Sequence, residues 1–137
     1  MTNESLARSY LRKATDRMKV LEVLFSEEGY SDVVRKAQEL VELALKGMLR
    51  AVGIEPLKFH DVGGFLIKHG NRFPVEIGNQ VEALAMISKK LRKDRELAFY
   101  GDVDFIPTEE YSRKDAEEAI QGAKQVLSVA TTVVECF

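Results

Sequence analysis

The stretch SDVVRKAQELVELALKGMLRAVG, residues 31–53, decides the fold. Its apolar residues recur at spacings of three and four and cover a wide face of a helix. They are Val33, Ala37, Leu40, Val41, Ala44, Leu45, Met48, Leu49 and Val52. A face this wide needs more than one neighbour, so we predict that this helix lies at the centre of the domain. Ser31 is its predicted N-terminal cap, and Gly53 is its predicted C-terminal stop.

The segments on either side also have helical patterns. Long helices are predicted over residues 5–28, over residues 75–100 and from Ser112 to the C-terminal end, with a short helix over residues 62–69. Ser112 and Asp115 form a start that resembles a capping box. No segment alternates as a β-strand does. The predicted fold class is therefore all-α, an antiparallel up-and-down bundle of four long helices and one short helix.

The composition fits a small intracellular domain. The chain has 137 residues, which suits a single domain spanning residues 1–137. Its 20 basic and 22 acidic residues give a net charge of −2, so a polyanion would have to bind to a local patch. The single cysteine, Cys136, excludes an internal disulfide, and the sequence contains no signal peptide or membrane span. We therefore expect a cytoplasmic protein without a membrane partner.

The stretch LRKDRELAFYGD, residues 91–102, contains a charge that packing does not explain. At about 100° per residue, Arg95 falls near the middle of an apolar stripe. That stripe is formed by Ile77, Val81, Leu84, Leu91 and Ala98. An unpaired buried charge is very costly, so Arg95 needs a partner or a cleft. Asp102, seven positions further along the same face, is one candidate partner. The alternative is a phosphate group, which arginine binds bidentately.

Two more features of this helix concern its surface. Five of the seven residues 89–95 are basic, and Arg92 is one of them. A run of charges like this one is typical of a solvated helix face. Met86, Leu97 and Tyr100 lie roughly opposite the apolar stripe and form a thin second strip. The strip indicates either a contact with another chain or isolated apolar residues on the surface.

Other kinds of site have little support in the sequence. His60 and His69 lie nine positions apart and belong to no HExxH, CxxC or di-iron pattern, so no metal site and no cofactor are predicted. No serine or cysteine lies in a recognisable nucleophile elbow. His60 begins the stretch HDVGGFLIKH, residues 60–69. There it either caps or packs near the start of the short helix, or contacts a ligand or partner at the mouth of the bundle.

The order of these pieces resembles the HEPN domain family over residues 5–134. The pieces are the central helix, the loop leading to HDVGGFLIKH, the long helix ending in RELAFYGD, and the last helix with its small residues. The positions that carry the resemblance are Ala37, Glu39, Ala44, Lys46, Leu49, His60, Arg95, Tyr100, Gly101 and Asp102. The resemblance implies an all-α domain that usually dimerises and is often paired with a minimal nucleotidyltransferase as a toxin–antitoxin system. It also implies, for active members, metal-independent RNA cleavage by an Arg-x4–6-His motif in a cleft at the dimer interface.

Carried over to this chain, the motif is incomplete. Arg95 matches its arginine, but Tyr100 stands five positions later and no histidine follows His69. A tyrosine ordinarily titrates near pH 10, which makes it a poor general base at neutral pH. Arg95 and Tyr100 are the candidate catalytic residues, Arg95 and Arg92 the candidate phosphate-binding residues, and Asp102 and His60 the supporting ones. In some family pairs the nucleotidyltransferase modifies a tyrosine near the motif with AMP, which makes Tyr100 a candidate acceptor.

Three hypotheses follow from the sequence. The first is a HEPN module that binds nucleotide or RNA phosphate through Arg95, dimerises, and works with a minimal nucleotidyltransferase without full ribonuclease activity. The second is an active ribonuclease toxin in which Tyr100 or His60 replaces the usual histidine. The third is a purely structural or interaction bundle, in which Arg95 forms a buried ion pair with Asp102.

Overall fold

The computed structural model describes residues 3–56 and 62–136. In the helix over residues 81–99, the side chains of residues 94–97 and 99 lie outside the description. The helices are α1 Asn3–Ser26, α2 Tyr30–Ala51, α3 Val62–Lys68, α4 Val75–Gly78, α5 Val81–Phe99, α6 Pro107–Glu110 and α7 Arg113–Cys136, with a 3-10 turn at Gly70–Arg72. These ranges contain no β-strand. The predicted all-α bundle of four long helices is therefore confirmed, with α4 and α6 as additional short helices.

α2 lies at the centre of the bundle, as its wide apolar face predicts. It packs against α1, α5 and α7. Its fully buried apolar residues are Val33, Ala37, Leu40, Val41, Ala44, Leu45, Met48 and Leu49. Because each large apolar side chain contributes about 1.5–3 kcal/mol when fully buried, α2 supplies a large share of the hydrophobic stabilisation.

The long helices alternate in direction. Arg50 near the end of α2 donates a hydrogen bond to the Asn3 side chain at the start of α1, at 3.0 Å. Arg72, which precedes α5, donates to the backbone carbonyl of Val52 at 2.7 Å and so joins the end of α2 to the chain entering α5. These pairings make α1, α2 and α5 successively antiparallel. α7 then packs mainly along α2 and α1.

Two predicted details of the helices are wrong. The helix predicted over residues 75–100 is interrupted at residues 79–80, where Gly78 and Asn79 have low helix propensity. Ser31 does not cap α2. It is buried within the helix, and Gly29 occupies the N-cap position without a side-chain hydrogen bond.

The predicted capping box at the start of α7 is confirmed. The Ser112 N–H donates to Asp115 Oδ2 at 2.8 Å, and the Asp115 N–H donates to Ser112 Oγ at 3.3 Å. The two residues therefore satisfy each other's backbone donors, which fixes the entry of the chain into α7.

α3 crosses α5 at a glycine. A Cβ atom on Gly63 would lie 3.0 Å from the Cα atom of Ala85. Only a residue without a side chain allows the two backbones to approach this closely. In the part of the chain that the structure describes, no helix has both the length and the apolar character that crossing a membrane requires.

Candidate functional site

The outward side of α5 carries the residues that the sequence singles out. Met86, Lys89, Lys93 and Tyr100 are all exposed, and at 100° per residue they fall within about 60° of one another. We call these four residues the outer stripe. Met86 is 72% exposed and Tyr100 76% exposed, so both predictions of outward-facing residues are confirmed, while the Leu97 side chain lies outside the described part.

The basic residues of α5 differ in their surroundings. Lys90 lies to one side of the outer stripe and pairs with Glu118 of α7, with 3.4 Å between Nζ and Oε2. Lys89 and Lys93 make no ion pair with any residue in the described ranges. Arg92, on the other side of the stripe, is exposed. The prediction of a solvated basic face therefore holds for all four of these residues.

A tight turn follows Tyr100 and fixes the end of α5. Gly101 has a φ of 72°, in the left-handed region. A Cβ atom at this position would clash with the Phe105 carbonyl oxygen and with the Pro107 ring. Asp102 and Phe105 exchange two backbone hydrogen bonds, of 2.8 and 2.9 Å. The conformation therefore requires glycine directly after Tyr100.

Asp102 belongs to this turn. Its Oδ1 accepts a hydrogen bond from the Val103 N–H at 2.7 Å, and its side chain is exposed. This contact is local and holds the backbone of the turn. The predicted pairing of Asp102 with Arg95 falls outside the described residues, because the Arg95 side chain is not among them.

The same turn is anchored to the bundle by an aromatic contact. The Phe105 ring packs against Tyr111 edge-on, with 5.6 Å between ring centroids. In contrast, Val103 is 91% exposed and Ile106 48% exposed. The turn therefore fixes the direction of the chain directly after Tyr100, and its Val103 and Ile106 side chains are exposed to solvent.

The described residues do not extend to every predicted site residue. The backbone of Arg95 lies in α5 between Leu91 and Ala98, both of which are buried. His60 lies in the segment 57–61, outside the described ranges. Of the predicted site residues, the structure describes the side chains of Arg92 on α5, Tyr100 directly after it and Asp102 in the turn; Arg92 and Tyr100 are about 12 Å apart along the helix axis.

A cavity that the sequence did not predict lies between α2, α5 and α7. Its volume is about 190 Å³. It is lined by Val34, Ile87, Lys90, Leu91, Tyr111, Asp115, Glu118, Ala119 and Gly122. The small residues Ala119 and Gly122 of α7 are among its lining residues, and a Cβ atom on Gly122 would lie 3.0 Å from Ile87 Cγ2 of α5. Lys89, Arg92, Lys93 and Tyr100 do not line it.

A second hollow, about 300 Å³ in volume, lies between α1 and α7. The Arg113 guanidinium lies 4.9 Å above the centroid of the Phe25 ring. The hydrogen bond from Arg113 to Glu117 raises the pKa of Arg113 above its ordinary value. The contact between Arg113 and Phe25 joins α7 to α1, whereas the hydrogen bond to Glu117 lies within α7. None of the predicted site residues takes part in either.

Within residues 3–56 and 62–136, no three His, Cys, Asp or Glu side chains come together as a metal site. The polar groups described from residue 89 of α5 to residue 104 in the turn after it are ammonium and guanidinium groups, the phenol of Tyr100, and the carboxylates of Asp102 and Asp104. Ammonium and guanidinium groups bind anions, and guanidinium groups and phenol rings stack on planar rings.

A family model and a curated relative match most of the chain. Residues 7–133 match the family model of the HEPN domain. A curated protein of Methanocaldococcus jannaschii, described as "Putative toxin MJ1304", is 29% identical over 133 residues, which cover 93% of this chain and 87% of that protein. No solved structure matches the chain.

Proposed function

The chain belongs to the HEPN domain family, and from this premise we propose that it is a toxin-type HEPN module that binds RNA or nucleotide phosphate without full ribonuclease activity. Arg95 takes the position of the motif arginine, and Arg92 adds a second guanidinium one turn earlier on α5. Arginine suits this role because its planar fork binds phosphate oxygens bidentately.

The observation that carries the proposal is the residue five positions after Arg95. Tyr100 stands there in place of the motif histidine, and it is 76% exposed. In solvent a phenol lacks the basicity needed to take a proton from a ribose hydroxyl at neutral pH. Phosphate binding by Arg95 does not depend on that proton transfer, so binding is retained while cleavage is lost or strongly reduced.

The remaining residues have supporting roles in this proposal. Asp102 holds the turn after Tyr100 through its bond to the Val103 N–H. His60 would contact the ligand from the segment that precedes α3. The protein would act in the cytoplasm as a homodimer, paired with a minimal nucleotidyltransferase as in toxin–antitoxin systems. The description of the Methanocaldococcus relative as a toxin supports a pair of this kind.

The test compares the metal-free protein with its Arg95→Ala variant on total transfer RNA. Binding is measured by gel shift, and cleavage by a denaturing gel of the same samples. The proposal expects binding by the parent, much weaker binding by the variant, and intact RNA in both. Cleavage that depends on Arg95 would overturn the proposed loss of activity.

An active ribonuclease toxin is the second candidate, favoured by the description of the same relative. In that case Tyr100 or His60 would replace the missing histidine. Expression without a partner would then arrest growth, and Arg95→Ala would relieve the arrest. Normal growth at high expression would exclude this candidate.

A thermal melt of Arg95→Ala distinguishes a structural role for Arg95 from the binding and ribonuclease candidates. If Arg95 forms a buried ion pair, Arg95→Ala should lower stability by about 3–5 kcal/mol. Asp102, the partner that the sequence suggests, is exposed, so a pair with it would contribute only about 0–1 kcal/mol. If Arg95 serves a binding site, the same change should be mild or stabilising.

A further inference from the structure

We infer that Lys89, Lys93 and Tyr100 of the outer stripe form a track for single-stranded RNA, in which the two lysines bind phosphates and Tyr100 stacks on a base. This inference rests on the proposed function. It adds a binding surface, a preference for single-stranded RNA, and a role for Tyr100 in stacking. The proposed function alone assigns phosphate binding to Arg95 and Arg92 and gives the outward side of α5 no part in it.

The two lysines have the placement that a backbone contact needs. They lie one helical turn apart on the same face, which separates their Cα atoms by about 6 Å along the axis. Both are exposed, and neither pairs with a carboxylate within the described residues, whereas Lys90 is engaged by Glu118. Lys89 and Lys93 are therefore exposed cations on this face, while the side chains of Asp94 and Glu96, the nearest carboxylates along the helix, lie outside the described residues.

Tyr100 extends the same line beyond the lysines. It follows Lys93 by seven positions, which is about two turns or about 10 Å along α5. With 76% of its side chain exposed, it offers a ring to a planar ligand. The glycine turn after it fixes the backbone on that side, so less conformational freedom is lost when a base stacks on the ring.

Acidic residues limit the track at both ends. Glu82 is exposed one turn before Met86, and Asp102 and Asp104 are exposed just beyond Tyr100. Phosphates are repelled from both places, so the backbone contacts are confined to the region of the lysines. At Tyr100 the favourable contact is to a base, which carries no formal charge.

This arrangement selects the state of the RNA. Stacking on an exposed aromatic side chain requires a base whose face is open, as in a single strand or a loop. The faces of paired bases inside a duplex are already stacked. The lysine contacts read no sequence, so the preference is for single strands in general.

The experiment measures fluorescence anisotropy of a labelled oligouridine of about twelve nucleotides, titrated with the full-length protein at several salt concentrations. A duplex of the same length is the comparison ligand. The variants are Lys89→Ala/Lys93→Ala, Tyr100→Ala and Tyr100→Phe. The matched control is Lys114→Ala/Lys124→Ala, which removes two exposed lysines of α7 and the same net charge.

The double lysine variant should reduce the slope of log affinity against log salt by about 0.7 for each lysine, and the α7 control should leave it unchanged. Tyr100→Ala should weaken binding of the single strand about tenfold or more. Tyr100→Phe should bind within about twofold of the parent, since the ring is retained. The duplex should bind more weakly than the single strand and be insensitive to Tyr100→Ala.

The results separate this inference from the proposed function. If Arg95→Ala abolishes binding while the outer-stripe variants bind as the parent does, the track is refuted and the proposed function stands. If the outer-stripe variants weaken binding and Arg95→Ala does not, the track stands and the assignment of Arg95 fails. An equal loss in the α7 control would refute the track, because net charge alone would then explain the effect. The track would also be refuted if the outer-stripe variants lost self-association, measured by light scattering, while their RNA affinity stayed unchanged.

Discussion

Gly101→Ala tests whether the turn after Tyr100 is as tightly built as its geometry indicates. An alanine at φ 72° costs about 1–2 kcal/mol for the left-handed backbone alone. Its Cβ would also clash with the Phe105 carbonyl oxygen and Pro107, so the two backbone hydrogen bonds between Asp102 and Phe105 are lost, at about 1 kcal/mol each. We therefore expect a loss of about 3–4 kcal/mol in the free energy of unfolding.

Gly53→Ala is the matched control for this prediction. Gly53 also has a positive φ, of 80°, but among the described residues a Cβ there would meet only the Arg72 guanidinium, at an ordinary contact distance of 3.8 Å. Its loss should be limited to the backbone term of about 1–2 kcal/mol. Both variants reduce the freedom of the unfolded chain equally, so their difference of about 2 kcal/mol isolates the turn. Urea denaturation followed by circular dichroism measures it, and equal losses in the two variants would refute the reasoning.

Three further predictions concern other parts of the molecule. Gly63→Val should destabilise the fold by about 1–3 kcal/mol in urea denaturation, because its side chain would push α3 away from the backbone of Ala85; an unchanged midpoint would contradict the close crossing. Asp115→Ala should cost about 1 kcal/mol in the same assay by removing the capping box with Ser112, and a loss below about 0.3 kcal/mol would show that the box does not hold α7. Asp104→Lys should increase the affinity for single-stranded RNA and steepen its salt dependence by about 0.7, since it replaces an exposed negative charge beyond Tyr100; an unchanged affinity and salt dependence would mean that RNA does not pass this end of α5.

The parts of the fold that follow from local chemistry could be predicted from the sequence. The wide apolar face of residues 33–52 required several neighbours, and α2 is indeed packed on three sides. Ser112 and Asp115 satisfy each other across three residues, so their pairing is visible in the sequence. Angles around a single helix likewise placed Met86 and Tyr100 on the exposed side of α5.

Features that depend on tertiary contacts could not be predicted in this way. Ser31 has the residue type of a cap, but α2 begins one residue earlier and buries it, with the Val33 N–H bonded to the Gly29 carbonyl. The interruption at residues 79–80 depends on how the chain between α3 and α5 packs. The cavity between α2, α5 and α7 depends on the distances between these three helices. The periodicity along a single helix does not predict such distances.

The candidate site shows the same division. The sequence identifies Arg95 because a charge on an apolar stripe conflicts with packing, and that conflict is a property of one helix. The separation of Lys90 from Lys89 and Lys93 comes instead from Glu118, a residue 28 positions further along the chain on α7. Runs of like charge therefore cannot be divided into engaged and available residues until the neighbouring helices are in place.

Tyr100 links the proposed loss of cleavage to the proposed track. Replacing an imidazole with a phenol removes a base that operates at neutral pH, but it adds a larger ring for stacking. The turn built on Gly101 leaves this ring exposed in the protomer, without the burial by which enzymes tune a general base. On this reasoning Tyr100→His would restore a base without restoring its surroundings. We expect that variant to bind RNA about as well as the parent and to gain little cleavage, and efficient cleavage by Tyr100→His on the denaturing gel would show instead that the missing base was the only defect.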